Sequence, residues 1–161
     1  MTLRPIEEAD RTPLRSILAE PGLACSLGTA SSDVAVADVF EPYQTSFVIE
    51  VDGAVVGSLQ VAEEDDPDYR HAGIDLFLAT DAQGRGLRPE AIRLAARYLF
   101  EQRGYHRLTI DPAAANLRAI HAYERVGFRP VGVMRQYERG RDGTWHDSLL
   151  MDPLVGELLR V

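Results

Sequence analysis

The sequence predicts a mixed α/β (α+β) fold, in which about four helices flank a twisted, mostly antiparallel sheet of six to seven strands. Three observations favour it. Short β-branched or apolar runs alternate with segments of helical periodicity. Three strand-like runs follow one another directly, and Asp52-Gly53 joins the first two as a tight hairpin turn. The resulting order, β-α-α-β-β-β-α-β-α-β-β, fits neither a doubly wound parallel sheet nor a sandwich.

The first forty residues predict one strand and two helices. Thr2–Pro5 is a short extended run, and a helix follows over about 7–19, which Pro21-Gly22 ends. A second, shorter helix is expected over 32–40, because apolar residues recur there at helical spacing. Three neighbouring polar residues are candidate N-terminal caps for it: Ser31, Ser32 and Asp33.

The middle of the chain predicts three strands and the clearest helix. The strands are expected at 45–51, 55–62 and 72–78, because β-branched and apolar residues dominate these runs. The helix is expected over 89–103. Pro89 suits its first turn, its buried face recurs at helical spacing, and Gly104 ends it. The face consists of Ile92, Ala95, Ala96 and Leu99.

The last third of the chain predicts a strand, a helix and a final pair of strands. The first strand is expected at 107–110, and Gly127 closes a helix over 116–126. The final strands are expected at 129–136 and 145–151, around a turn at 140–143 that two glycines favour.

Length and composition indicate one globular domain spanning 1–161. No apolar stretch is long enough for a membrane span. The lone Cys25 cannot form an internal disulfide, and the first ten residues lack a signal-peptide pattern, so a cytoplasmic protein is expected. The net charge of −8 disfavours nucleic acid as a partner. It either attracts cationic small molecules or serves solubility alone.

A glycine-rich loop over 83–88 (Gln-Gly-Arg-Gly-Leu-Arg) separates the third long strand from the clearest helix. Its two glycines allow a tight turn and a close approach of backbone to ligand. The helix start that follows offers unpaired N–H groups and the positive end of a dipole. The loop therefore predicts an anion site suited to a diphosphate, although many such turns only connect a strand to a helix.

This loop and the order of elements resemble the GCN5-related N-acetyltransferases (GNATs), whose acetyl-CoA loop reads Gln/Arg-x-x-Gly-x-Gly/Ala. Gln83 and Gly86 match that pattern, and Arg88 departs from it at the last position. Further blocks look like those of aminoglycoside 6'-N-acetyltransferases, and the likeness runs from roughly 45 to 152. These blocks are Gly73-Ile74-Asp75, Asp111-Pro112, Asn116-Leu117-Arg118-Ala119-Ile120, Tyr123-Glu124 and Gly127-Phe128.

The resemblance implies acetyl-CoA as co-substrate. The diphosphate would lie on the 83–88 loop, and the thioester beside a splayed strand at 76–78 whose free N–H groups bond it. Asn116 and Tyr123 are seven residues apart and share a helix face, which would meet the pantetheine arm and the sulfur. The implied cofactor-binding residues are Leu76, Phe77, Leu78, Gln83, Gly84, Arg85, Gly86, Leu87, Arg88, Asn116 and Tyr123.

Acetyl transfer to an amine needs a base, because aliphatic amines are protonated at neutral pH. Asp75 is the candidate base and a substrate contact, because a carboxylate inside an apolar strand is costly unless it is paired or used. The resemblance makes Tyr123 the acid and Asp111 a second substrate-binding residue. Each also has a plainer interpretation: a structural aspartate, a core tyrosine and a strand-ending Asp-Pro. The four histidines lack metal-ligand spacing, so no metal is expected.

These features predict an acetyl-CoA-dependent N-acetyltransferase that acts by direct transfer, with an aminoglycoside 6'-amine as the favoured acceptor. One alternative is a ribosomal-protein or N-terminal acetyltransferase, which the segment 137–147 resembles. Others are a polyamine acetyltransferase and a non-catalytic acyl-CoA-binding module. The acidic run 63–68 either lines the acceptor cleft or is a solvated loop. A monomer or homodimer is expected.

Overall fold

The computed structural model describes residues 1–24, 32–41, 44–140 and 142–158. Two residues singled out in the sequence, the lone Cys25 and the candidate cap Ser31, lie outside the described residues. Within the described ranges, no helix is both long enough and apolar enough to cross a membrane.

The described part of the chain contains seven strands and five α-helices. The strands are β1 (Thr2–Pro5), β2 (Thr45–Val51), β3 (Ala54–Glu64), β4 (His71–Leu78), β5 (Leu108–Thr109), β6 (Arg129–Arg139) and β7 (Trp145–Asp152). The α-helices are α1 (Arg11–Leu18), α2 (Pro21–Ala24), α3 (Ser32–Val39), α4 (Leu87–Glu101) and α5 (Leu117–Glu124). Two 3-10 turns, Glu8–Asp10 and Thr80–Ala82, precede α1 and the glycine-rich loop.

The strands form a five-stranded sheet in the order β1-β2-β3-β4-β5 and a two-stranded sheet of β6 and β7. Neighbouring strands are antiparallel, except that β4 and β5 run parallel. Isolated bridges, among them Ile110 with Met151, join the segment around β5 to β7. The predicted fold class is therefore confirmed, although the seven strands are divided between two sheets.

The hairpin between β2 and β3 has the turn that its sequence predicts. Asp52 and Gly53 both have positive φ angles, 51° and 79°. Two such residues in succession define the turn type whose twist matches that of paired strands. This turn fixes the register of β2 against β3. Strand β3 also pairs with β4, over the whole length of β4.

The first predicted helix is divided into two parts. Glu8–Asp10 is a 3-10 turn held by the buried Asp10, whose carboxylate accepts the Glu7 N–H (2.8 Å) and pairs with Arg4 (2.7 Å). The α-helix proper begins at Arg11. The helix ends before Pro21-Gly22, as predicted, and Pro21 begins the separate short helix α2, since prolines favour a first helical turn.

Other predicted boundaries also move. α3 begins at Ser32 as predicted and ends at Val39, one residue earlier than expected, so Ser32 and Asp33 lie in its first turn. α4 begins at Leu87, which places Pro89 third in the helix, where its missing N–H is not needed. β6 continues to Arg139 through a bulge, at which Gln136 has a φ of 51° and its N–H donates to Asp147 (2.8 Å).

Helix α4 packs on the sheet through the face that its periodicity predicts. Ile92, Ala95, Ala96 and Leu99 are each at most 1% exposed. Small residues on this face let the helix lie close to the strands. The first turn of α4 is therefore held beside the carboxyl end of β4, where both ends of the glycine-rich loop are anchored.

Gly57 of β3 is required where β3 meets the end of β4, and Gly57→Ala is expected to destabilise the fold. A Cβ there would overlap the Phe77 carbonyl oxygen, so the two backbones would have to separate. We expect a loss of about 1–3 kcal/mol in urea unfolding. Gly132→Ala in β6 is the matched control, since its Cβ would meet open space. Equal losses in both variants would contradict this explanation.

Candidate active site

Two clefts adjoin β4 and together hold most of the predicted site residues. The first, here called the loop cleft, has a volume of about 360 Å³ and lies between the glycine-rich loop, the start of α4 and one face of α5. Six of the predicted residues line it: Leu78, Gln83, Gly84, Gly86, Arg88 and Asn116. The second, here called the carboxylate cleft, has a volume of about 490 Å³ and is lined by Asp75 and Asp111 among others.

The edge of β4 that faces β5 lacks a partner strand over most of its length. The two strands pair only where Ala72 meets Leu108 and Gly73 meets Thr109. Beyond them the chain turns to β7, since Ile110 exchanges two backbone hydrogen bonds with Met151 (3.0 and 2.8 Å). The pairing with β5 therefore ends at Gly73, which leaves a gap beside the second half of β4, where the resemblance implies a splay at 76–78.

Two of the three residues predicted at this splay direct backbone groups into the gap. The carbonyl oxygens of Leu76 and Leu78 accept hydrogen bonds from Arg88 (3.3 Å) and Gln83 (3.1 Å). Successive strand residues point their backbone groups to opposite edges. Phe77 therefore faces β3, where its carbonyl oxygen lies beside Gly57. The geometry supports a backbone role for Leu76 and Leu78 and gives none to Phe77.

The glycine-rich loop depends on two left-handed glycines. Gly84 and Gly86 have φ angles of 79° and 80°, which other residues rarely adopt. A Cβ on Gly84 would lie 3.0 Å from the Arg118 guanidinium, whereas a Cβ on Gly86 would meet open space. The Gln83 side chain does not point outward but anchors the loop to the end of β4. This bond ties the loop to β4 directly before the start of α4.

The cations around the loop cleft differ from those that the sequence emphasises. Arg118 and Arg125 of the α5 region line the cleft, together with Arg88. Arg85 is exposed on the loop, and Leu87 is buried in the core. Arg118 and Arg125 were not predicted as site residues. The only sequence signal for Arg118 is its place in the Asn116-to-Ile120 block, and Arg125 has none.

Asn116 caps helix α5 and also faces the loop cleft. Its Oδ1 accepts the Ala119 N–H at 3.1 Å, which satisfies one of the free donors at the helix start. This bond fixes the orientation of the side-chain amide. The amide nitrogen remains as a donor on the cleft side.

Asp75 lies on β4 at the floor of the carboxylate cleft, opposite Gln60 of β3. Its Oδ1 accepts the N–H of Leu76 at 2.8 Å. Burial among protein atoms raises the pKa of Asp75, the Leu76 N–H lowers it, Asp111 raises it and Arg88 lowers it. Solvent reaches this side chain through the open cleft and moderates the rise. The result is a carboxylate with a greater affinity for protons than usual.

Tyr123 lies on α5 and is only 4% exposed. Its ring packs on Phe128 with 6.1 Å between ring centroids, and its hydroxyl oxygen accepts a hydrogen bond from Arg88 at 3.0 Å. Burial raises the pKa of Tyr123, Arg88 lowers it, and the charges of Asp75 and Asp111 raise it. The phenol is therefore protonated at neutral pH and lies within electrostatic range of both carboxylates.

Acidic and tyrosine side chains that line the carboxylate cleft or lie within electrostatic range of its carboxylates were not predicted as site residues. The Tyr137 hydroxyl forms a hydrogen bond with Asp111, which raises the pKa of Tyr137. Partial burial raises the pKa of Glu138, and the charges of Asp75 and Asp111 raise it further. Of the acidic run 63–68, Glu63 and Glu64 line the cleft, from β3 and not from a loop.

Comparison with known proteins identifies the family. The family model described as "Acetyltransferase (GNAT) family" matches residues 14–128, which include β4, the glycine-rich loop and α5. The chain belongs to the GNAT family. It is an acetyl-CoA-dependent acyltransferase.

Relatives of this GNAT enzyme differ in the acceptor that their names give. An aminoglycoside N(6')-acetyltransferase type 1 from Klebsiella pneumoniae is 31% identical, over 83% of this chain and 76% of that protein. A spermidine N(1)-acetyltransferase from Escherichia coli (strain K12) is 27% identical, over 74% of this chain and 63% of that protein. Mycobacterium smegmatis RimJ, solved in complex with CoA-disulfide, shares the fold with a TM-score of 0.83 and 24% identity. That match covers 98% of this chain and 83% of RimJ.

The GNAT family uses acetyl-CoA, and the loop cleft of this chain fits such a co-substrate. Open space beside Gly86 allows close approach to the loop, and the start of α4 provides N–H groups for a diphosphate. Arg118 and Arg125 add positive charge at the cleft wall. The Asn116 amide offers a polar partner for an amide-containing arm. The Leu76 N–H, which the resemblance implies to be free for the thioester, instead donates to Asp75. When bound, acetyl-CoA would supply the activated acetyl group.

Proposed function

We propose that this GNAT enzyme acetylates a primary amine of a small polycation, with the 6'-amine of an aminoglycoside as the preferred acceptor. The proposal rests on the carboxylate cleft, in which Asp75 and Asp111 face one space of about 490 Å³. Carboxylates in a cleft attract ammonium groups and hold them in place. The net charge of −8 adds a longer-range attraction for the same acceptors.

Asp75 acts as the general base. An ammonium group in the cleft gives one proton to Asp75, directly or through a water, and the neutral nitrogen then attacks the acetyl carbon. The raised pKa of Asp75 suits this role, because a carboxylate whose pKa is closer to neutral accepts a proton more readily. Asp111 holds the acceptor and also helps to keep the pKa of Asp75 high.

Tyr123 acts as the general acid for the departing sulfur. The carbon–nitrogen bond forms, the carbon–sulfur bond breaks, and Tyr123 donates a proton to the thiolate. The nitrogen loses two protons in all. The first passes through Asp75 to solvent, and the second replaces the proton that Tyr123 has given. The raised pKa of Tyr123 ensures that this proton is present at neutral pH.

The similarity to relatives favours an aminoglycoside, with a linear polyamine as the second candidate. The aminoglycoside relative has the higher identity and covers more of the chain, 31% over 83% against 27% over 74% for the spermidine relative. Both acceptor classes carry several ammonium groups, so the carboxylate cleft suits either. A cleft with more than one carboxylate matches acceptors of this kind better than a peptide N-terminus with a single charge.

The acceptor class is tested by measuring thiol release from acetyl-CoA with kanamycin or tobramycin, with spermidine and with N-terminal peptides. We expect kcat/KM to be at least about tenfold higher for the aminoglycosides than for spermidine. The matched control is an aminoglycoside with a hydroxyl in place of the 6'-amine, which should release no thiol. Preference for spermidine or for a peptide would replace the proposed acceptor by that class. No release with any amine, with a Tm still raised by acetyl-CoA, would identify a binding module.

A further inference from the structure

Arg88 occupies the position at which the GNAT loop pattern has glycine or alanine, and its side chain points inward. Its Nη1 donates to the hydroxyl oxygen of Tyr123 (3.0 Å) and to the carbonyl oxygen of Leu76 (3.3 Å). Glycine or alanine could form neither bond, because neither has a polar side chain. These two contacts therefore belong to this chain and not to the general pattern of the loop.

The contacts of Arg88 connect the proposed base and the proposed acid. The Leu76 N–H donates to Asp75 at 2.8 Å, while the Leu76 carbonyl accepts from Arg88. Arg88 then reaches Tyr123, 35 residues further along the chain. Asp75, Leu76, Arg88 and Tyr123 thus form one hydrogen-bonded series along the edge of β4 that has no partner strand.

We propose that Arg88 is a positioning residue that orients the Tyr123 hydroxyl for proton donation to the leaving sulfur. This inference rests on the proposed function, since Arg88 acts through Tyr123. A guanidinium only donates hydrogen bonds, so the Tyr123 oxygen must accept. The single proton of the phenol is then left for another acceptor. During acetyl transfer that acceptor is the departing thiolate.

The charge of Arg88 favours proton donation by Tyr123, as its hydrogen-bond geometry does. Burial and the charges of Asp75 and Asp111 raise the pKa of Tyr123 and so disfavour loss of its proton, whereas Arg88 lowers this pKa. A guanidinium beside the phenol stabilises the tyrosinate that remains after proton donation. In the described part of the chain, no carboxylate lies within ion-pair distance of Arg88, so this charge is not neutralised by a salt bridge.

Two simpler roles for Arg88 make different predictions. A ligand of the diphosphate would affect mainly the KM for acetyl-CoA. A structural brace between α4 and β4 would affect mainly the stability. A positioning residue changes kcat and the titration of Tyr123 and leaves the KM for acetyl-CoA nearly unchanged. Arg88→Ala separates these roles well, because alanine restores a residue that the loop pattern accepts.

The test combines steady-state kinetics with a titration of Tyr123 in the full chain. Wild type, Arg88→Ala and Arg88→Lys are labelled with 3-fluorotyrosine, whose phenol is more acidic, and the ¹⁹F signal of Tyr123 is assigned with Tyr123→Phe. We expect Arg88→Ala to lower kcat by about 10- to 100-fold, the effect of one hydrogen bond to a charged group. We also expect Tyr123 to titrate at higher pH in this variant. Arg88→Lys keeps the charge and should retain most of the wild-type titration.

Arg85→Ala is the charge-matched control, because it removes one exposed arginine from the same loop. It should raise the KM for acetyl-CoA and leave the titration of Tyr123 unchanged. An unchanged Tyr123 titration in Arg88→Ala, or a raised KM with wild-type kcat, would overturn the positioning role. If instead Tyr123 is not the general acid, Tyr123→Phe keeps the full kcat, although the titration of Tyr123 still responds to Arg88→Ala.

Discussion

Asp75→Asn is expected to lower kcat by about 10²- to 10⁴-fold, the usual contribution of a general base. Asparagine cannot accept the proton of an ammonium group, yet it has nearly the same shape as aspartate. Its Oδ1 can still accept the Leu76 N–H that Asp75 accepts at 2.8 Å. The Kd for acetyl-CoA should not change, because Asp75 lines the carboxylate cleft and not the loop cleft. Thiol release and calorimetric titration with acetyl-CoA measure the two quantities.

The same variant should be at least as stable as wild type at neutral pH. The pKa of Asp75 is raised in the folded protein, so the folded state binds its proton more tightly than the unfolded state does. The contribution of Asp75 to stability therefore falls as pH rises from its ordinary pKa to the raised value. Above that range the folded wild type contains a charge at a site that favours the neutral carboxyl group, and asparagine lacks this charge. If the variant is inactive but its Tm at pH 8 is not lower than that of wild type, the loss of activity is due to loss of the base and not to unfolding.

The pH profile gives a second measurement of the base. The wild-type rate should fall as pH drops through the raised pKa of Asp75, because a protonated carboxyl group accepts no proton. The residual activity of Asp75→Asn should lack this acid limb. Asp111→Asn is the comparison, since Asp111 lines the same cleft and should affect mainly the KM for the amine. Wild-type kcat in Asp75→Asn would exclude Asp75 as the base.

Features with local determinants could be predicted from the sequence. The hairpin at Asp52-Gly53 and the loop glycines Gly84 and Gly86 each need a positive φ, and glycine in sequence is a direct sign of that need. The buried face of α4 follows from its periodicity. The place of Asp75 follows from strand alternation, since residues two apart point the same way.

Features that depend on distant contacts could not be predicted in this way. Nothing near Arg88 in the sequence indicates that its guanidinium turns from the loop to a tyrosine 35 residues away. Glu138 comes within electrostatic range of the site carboxylates beyond a bulge at Gln136, which breaks the simple alternation of β6. Phe77 was assigned to the cofactor with its neighbours, but only the pairing with β3 determines which edge its backbone faces.

Tyr123→Phe is expected to lower kcat by about 10²-fold near pH 7, with a smaller deficit above about pH 9. The reason lies in the leaving group. A thiol has a pKa of about 8.5, so its thiolate needs a donated proton less as the solution becomes alkaline. Phenylalanine keeps the ring that packs on Phe128 and removes only the hydroxyl. The KM for acetyl-CoA should change little, and rates of thiol release across this pH range provide the measurement.

The pH dependence of that deficit distinguishes an acid from a core residue. Tyr123 is almost completely buried, so loss of its hydroxyl also leaves Arg88 without one of its two hydrogen-bond acceptors, and some loss of Tm is expected. A purely structural defect would lower the rate by a similar factor at every pH. Tyr69→Phe, at a side chain that is 73% exposed, is the control and should behave as wild type. A deficit of equal size at acid and alkaline pH would exclude Tyr123 as the proton donor, while the role of Asp75 would stand on its own measurements.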